Sequence, residues 1–173
     1  MIVPGNHEAD IGGAWYPHAK KSLENLGFSV VAKNMPDAYL ARRQYWLPFI
    51  AKCVGYGENV VLVGHSSGAL AIMRYAQNHP VLGLVLVGAC HTDLGDETEK
   101  LSGYFDDAWE WEKIRKNAKW IVQFASADDP YIPVSESRYV NKRLGSQYYE
   151  CKKMGHFMSE KFPKLLSAIK KNL

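Results

Sequence analysis

Val61-Leu-Val-Gly-His-Ser-Ser-Gly-Ala-Leu70 sets two serines and a histidine between glycines, where one aliphatic run ends and another apolar stretch begins. Gly64-His65-Ser66-Ser67-Gly68 matches G-x-S-x-G, and a strand pattern before it with a helix pattern after it reads as a nucleophile elbow. Glycines two residues either side of the serine let strand and helix approach closely around a strained turn. Their spacing centres on Ser66, with Ser67 the alternative nucleophile. A plain βα turn with a serine N-cap would use the same letters, but strand, turn and helix fall in register here. The Ser67 backbone N–H, at the positive helix terminus, then faces any oxyanion forming at Ser66.

A serine hydroxyl reacts only when a base takes its proton. Of six histidines, His7 lies in the first loop, His18 and His79 in or near helices, His65 beside the serine but pointing elsewhere, and His91 at a strand end. His156, in Lys152-Lys-Met-Gly-His-Phe, follows the last strand and precedes the terminal helix. That position completes the chain order Ser…Asp…His used by α/β-hydrolases. The acid is expected after the fifth strand, where Ala127-Asp-Asp-Pro130 offers Asp129 to orient His156 and Asp128 as turn former or hydrogen-bond support. Asp93 and Asp96 are the runner-up acids. The second oxyanion donor is expected from the loop after the first strand, the backbone N–H of Asn6. That loop is neither a Walker A sequence nor G-x-G-x-x-G. No metal-ligand spacing is found, so no metal or cofactor is expected.

Six apolar segments must carry these residues: 2–4, 28–33, 60–64, 82–89, 120–125 and 147–152. They alternate with helical stretches, which argues for right-handed βαβ units and a parallel α/β sheet in one domain, 1–173. The third and fourth segments are almost wholly aliphatic, as strands covered on both faces are. The helix from Gly68 is expected to bury one side through Leu70, Ile72, Met73 and Ala76, and Tyr104–Lys119 reads as helical. Residues 91–113, acidic and turn-rich and then aromatic, are a lid-like segment or a plain surface excursion. Met1-Ile-Val-Pro-Gly turns after three residues, so the first strand is expected to be short and the start to lack a few residues.

The chain has 173 residues, 47% hydrophobic and 23% charged, with a net charge of +3 spread throughout. No basic patch points to nucleic acid or to a membrane surface. No apolar run approaches the roughly 20 residues of a membrane span, and no signal-peptide pattern opens the chain. Cys53, Cys90 and Cys151 are scattered and odd in number, which fits a reducing, cytoplasmic setting.

The words VPGN, AKNMPD, WLPF, GHSSGA, DLGDE, SGYF, the spaced tryptophans of WEWEKI, DDP and GHF together resemble the retinoblastoma-binding protein 9 and YdeN-like serine hydrolases, from Ile2 to the C-terminus. The resemblance implies a compact α/β-hydrolase, a three-layer α/β/α sandwich on a six-stranded parallel sheet of order 2-1-3-4-5-6, without a large cap domain. It also implies a triad of Ser66, Asp129 and His156. The pocket-protein motif L-x-C-x-E of the family's namesake is absent, since Cys53 is flanked by Ala51 and Gly55, and partner binding of that kind is not expected. His7 and Glu8 stand where the namesake's loop is richer in glycine, so specificity is not carried over.

The resulting expectation is hydrolysis of a small ester or amide through an acyl-enzyme, with Trp15, Tyr16, Trp46, Tyr104, Phe105, Trp109 and Trp111 as candidates to wall the pocket. Thioester or aminoacyl-amide cleavage would use the same triad. A non-catalytic interaction protein on the same fold is the rival reading.

Overall fold

The computed structural model describes residues 1–55 and 57–173. Its centre is a parallel sheet of five strands, β1 (Ile2–Val3), β2 (Val61–His65), β3 (Val81–Val87), β4 (Ala118–Ser126) and β5 (Gln147–Cys151), ordered β1-β2-β3-β4-β5. Strand alternation divides the core. Leu62, Leu84, Leu86 and Ile121 face one apolar layer, and Val63, Val85, Val87 and Val122 face the other. Helices α2 (Arg43–Val54), α3 (Ser67–Ala76), α5 (Trp111–Asn117) and α6 (Val134–Leu144) cover the first face. Helices α1 (Tyr16–Glu24) and α7 (Pro163–Lys171) cover the second. Both residue sets are aliphatic because both faces are covered, and alternation of polarity is lost.

The expected sixth strand, 28–33, is reduced to one parallel bridge between Ala32 and Ile2, supported by the Ile2 N–H donating to Val31 O at 2.9 Å. It lies beside β1, where the expected order put it. β1 has two residues, and Pro4 beyond it has no N–H to extend a ladder. The apolar pattern of 28–33 therefore marks a segment that lies along the sheet edge and pairs through a single bridge rather than a ladder.

Helix α3 also departs from expectation, because all ten of its residues are buried. Among them is Arg74, at 4% exposure. Its guanidinium donates from Nε to Tyr104 O at 2.9 Å, from Nη1 to Gln77 Oε1 at 2.9 Å and Ala108 O at 3.0 Å, and from Nη2 to Asp107 O at 2.6 Å and to Tyr104 O. Its flat face lies 3.9 Å from the Trp109 ring centroid. These carbonyls would otherwise accept helical hydrogen bonds, which explains why only the part of 104–119 from Trp111 to Asn117 is helical. Before it, α4 (Glu97–Ser102) stops at Gly103, which is left-handed at φ 77°. Arg74 thus pins the 104–108 part of the 91–113 segment to the core. Among the described residues no helix is long and apolar enough to cross a membrane.

Lysine cannot reproduce a planar fork that serves several carbonyls at once. Arg74→Lys is expected to lower the unfolding free energy by about 2 kcal/mol in urea titration, and to speed proteolysis between residues 104 and 110.

Candidate active site

Ser66 closes the turn from β2 into α3 at φ 55° and ψ −124°, a conformation that L-residues rarely adopt. The flanking glycines impose it. A Cβ on Gly68 would stand 2.3 Å from Val3 O and 2.4 Å from Pro4 O, and one on Gly64 would stand 2.4 Å from Gly68 O. No side chain fits between the end of β1 and the first turn of α3. Gly5, next along, lies against the Ser66 side chain, its would-be Cβ 3.3 Å from Ser66 Cβ. The Ser66 N–H donates to Val87 O at 2.9 Å, which ties the elbow to the end of β3.

Gly88 follows Val87 at φ 60°, and a Cβ there would lie 3.6 Å from His156 Cε1 and 3.7 Å from Asp129 Oδ2. The serine turn, the end of β3 and the late histidine and aspartate therefore meet at the carboxyl edge of the sheet. His156 Nδ1 and Asp129 Oδ2 are 2.8 Å apart, with the two side chains 11% and 2% exposed. Asp129 Oδ1 accepts from the backbone N–H groups of Tyr131 (2.9 Å) and Ile132 (3.1 Å). Burial alone would raise the Asp129 pKa, but the His156 contact and these amides outweigh it and hold the carboxyl below its usual range. An ionised Asp129 only accepts, so Nδ1 of His156 carries the proton of this bond.

Asp128 supports the arrangement as expected. Its Oδ1 accepts from Ser126 Oγ at 2.6 Å, Met154 N at 3.1 Å and Gly155 N at 2.9 Å, which fastens the histidine loop to the end of β4. Phe157, fully buried at φ 56°, anchors the other side by stacking on Phe162. The runner-up acids serve their own loop. Asp93 accepts from Gly95 N, and Asp96 caps α4 by accepting from Thr98 N and Glu99 N. Ser67, the alternative nucleophile, is 1% exposed and donates its hydroxyl hydrogen to Glu99 Oε1 at 2.9 Å.

His65 lies behind the site. Its Nδ1 accepts from Tyr16 Oη at 2.6 Å, and its Nε2 donates to His156 O at 2.9 Å. Burial, and then the neighbouring His156, push its pKa down to about 3. The imidazole is therefore neutral, with its tautomer set by its two partners. Of the candidate pocket aromatics, Trp15, Tyr16, Trp46, Tyr104 and Trp111 are buried in the core, and Phe105 and Trp109 pack on it. The rings and chains near His156 that meet solvent are Tyr131, edge-on at 5.0 Å and 69% exposed, and Met158, 62% exposed.

One residue not singled out in the sequence enters the site. Glu99, on α4, accepts at Oε1 from Asn6 Nδ2 at 2.8 Å as well as from Ser67 Oγ. Burial raises its pKa toward the neutral acid, a direction that favours negative charge forming nearby. Its signal in the sequence was slight, one of several acids in Asp93-Leu-Gly-Asp-Glu-Thr-Glu99.

A parallel sheet covered on both faces, with a glycine-framed serine at its carboxyl edge, defines an α/β-hydrolase. The serine hydrolase family matches residues 1–167, and the chain belongs to it. The chain is 45% identical over 175 residues to serine hydrolase RBBP9 of Rattus norvegicus, covering all of this chain and 94% of that one. The structure of the ydeN gene product of Bacillus subtilis superposes with a TM-score of 0.91 at 26% identity, over 99% of this chain and 96% of that one. A monoacylglycerol lipase of Paleococcus ferrophilus shares the fold at a TM-score of 0.68 and 15% identity, over 99% and 92% of the two chains.

Two outcomes check this geometry. Gly68→Ala, which sets a methyl group against two backbone carbonyls, is expected to cost about 3 kcal/mol or more of stability by chemical denaturation. Because folded His65 stays neutral down to about pH 3 while the unfolded residue protonates near 6.5, the unfolded chain binds the extra proton in that window. Stability therefore falls as pH drops from about 6.5 toward 3, by up to about 1.4 kcal/mol per pH unit. His65→Gln should flatten that part of the melting-temperature profile.

Proposed function

We propose that this serine hydrolase cleaves small ester or amide substrates through an acyl-enzyme, with Ser66 as nucleophile, His156 as general base and acid, and Asp129 as the group that orients His156. The observation that carries this reading is the Asp129–His156 hydrogen bond beside an elbow serine at φ 55°. Ser66 Oγ attacks the substrate carbonyl carbon and His156 Nε2 takes its proton. The ionised Asp129 holds the ring and stabilises the imidazolium, which then protonates the leaving group. Water attacks the acyl-enzyme by the same route in reverse, releasing the acid and restoring Ser66.

The charge on the tetrahedral intermediate falls to the N–H of Ser67, in the first turn of α3 where helical amides have no intrahelical acceptor, and to the N–H of Asn6. The next two amides of that loop, of His7 and Glu8, are committed to Tyr39 O and Ala38 O, which leaves the Asn6 amide as the candidate. Gly5 against Ser66 puts that loop beside the nucleophile. Tyr131 and Met158 offer an apolar rim next to His156, which suits a compact apolar acyl or leaving group. The three cysteines are free thiols, in keeping with a reducing cytoplasmic location.

The test is labelling by a fluorophosphonate, with the adduct mapped by mass spectrometry, alongside turnover of a panel of short esters, thioesters and aminoacyl amides. The expected adduct is on Ser66. Ser66→Ala should abolish labelling and reduce ester turnover to background, and Asp129→Asn should lower kcat by roughly 10³- to 10⁴-fold. Wild-type protein that is not labelled and hydrolyses no faster than Ser66→Ala would overturn the enzymatic reading and leave the interaction protein.

A further inference from the structure

We infer that Glu99 is a positioning residue of the oxyanion site, a single carboxyl oxygen that clamps the side chains of Asn6 and Ser67 and so fixes the two backbone amides those residues carry. The inference rests on the serine hydrolase reading of Ser66 given above.

Asn6 and Ser67 come from different parts of the chain, one from the loop after β1 and the other from the first residue of α3. The two segments approach each other where Gly68 meets Val3 and Pro4 and where Gly5 meets Ser66. Glu99 adds a second tie on the far side of the elbow. Its Oε1 accepts from Asn6 Nδ2 at 2.8 Å and from Ser67 Oγ at 2.9 Å, so both residues are held to a third segment, the helix that follows β3. Within that helix Asp96 caps the start through Thr98 N and Glu99 N, and Ser102 near its end donates to Glu99 O at 2.5 Å, which orders the turn that carries the carboxyl.

The geometry also says why the loop needs the clamp. His7 and Glu8, directly after Asn6, both stand at positive φ, 53° and 60°. Positive φ is uncommon outside glycine, and two such residues in a row make the loop reverse direction at some cost in strain immediately beyond the proposed donor. Hydrogen bonds to Tyr39 O and Ala38 O hold the strained pair from behind, and the Asn6–Glu99 bond holds it from in front. Loss of the front tie lets the Asn6 amide rotate out of the hole while the fold persists. A displacement of that kind weakens binding of the transition state far more than binding of the neutral substrate.

The experiment uses the full chain and short p-nitrophenyl esters. Glu99→Ala is expected to lower kcat roughly 30-fold while KM moves by less than about threefold, the pattern of a lost transition-state contact. Affinity for a trifluoromethyl ketone, which forms a tetrahedral oxyanion on the serine, should fall in parallel with kcat/KM. Glu99→Gln keeps a carbonyl oxygen able to accept both hydrogen bonds and should recover most of the lost rate. Combining Glu99→Ala with Asn6→Ala should cost little more than the larger single loss, since both cut the same tie. If Glu99→Ala fails to fold, Ser67→Ala, which removes one donor and keeps its backbone amide, should show a smaller kcat loss of the same kind. Wild-type kcat in a folded Glu99→Ala or in Ser67→Ala, or a loss confined to KM, or a folded Glu99→Gln as impaired as Glu99→Ala, would overturn the inference. Failure of the wild type to label at Ser66 would instead overturn the reading beneath it.

Discussion

Everything at the carboxyl edge of this sheet follows from one close approach, the backbone of Gly68 against the carbonyl oxygens of Val3 and Pro4. With no side chain between them, α3 begins directly over the end of β1, and the chain has one residue, Ser66, in which to turn from strand to helix. The price is a backbone at φ 55°, a strain of about 1–3 kcal/mol. Against it stands a helix whose ten residues are all buried, including Leu70, Ile72 and Met73 at 1% exposure or less. Burial of one such side chain contributes about 1.5–3 kcal/mol, so a few of them outweigh the strain. The core supplies the excess stability that the turn consumes, and the same contact sets the Ser67 amide and the loop from Gly5 beside the hydroxyl.

His156 is held by a different kind of force. His156 lies in a loop, and its position is fixed by polar contacts with the ends of β2 and β4. Asp129 takes its ring, Asp128 takes the amides before it, and His65 takes its carbonyl. His65 is suited to that task because burial keeps it neutral. It can therefore donate to the His156 carbonyl without placing a positive charge beside the His156 ring. Tyr16, on α1, donates to the other nitrogen and so selects the tautomer that reaches His156. The x of G-x-S-x-G is thus occupied here by a residue with structural work behind the site.

The alternation of strands and helices was legible because buried parallel strands are uniformly aliphatic and the breaks between them carry glycine, asparagine or aspartate. The serine turn was legible because steric need selects glycine at two fixed positions, and the partnership of Asp129 with His156 because chain order restricts where acid and base can arise. The sixth strand was misread since Phe28–Lys33 has a strand's composition, whereas pairing depends on a neighbour long enough to accept it, and β1 is two residues long. The helix expected from Tyr104 failed for a reason composition does not carry: Arg74, distant in sequence, takes the carbonyls that a helix would use. Glu99 was hidden by its neighbours. Asp93, Asp96, Glu97 and Glu99 are equivalent on paper, whereas in the fold Asp96 caps the helix and Glu99 meets Asn6 and Ser67.

These two modes of attachment divide the site into unequal halves. The serine and the amide that follows it belong to a packed helix, where displacement would open a cavity in a core of native density. The histidine, its aspartate and the first loop sit on turns held by hydrogen bonds, where a lost contact costs about 0.5–1.5 kcal/mol each and can be replaced by water. Movement of the site is therefore expected on the loop side, around a stationary serine. Tyr131 and Met158, both exposed, belong to those turns, and the Tyr131 ring meets His156 edge-on at 5.0 Å.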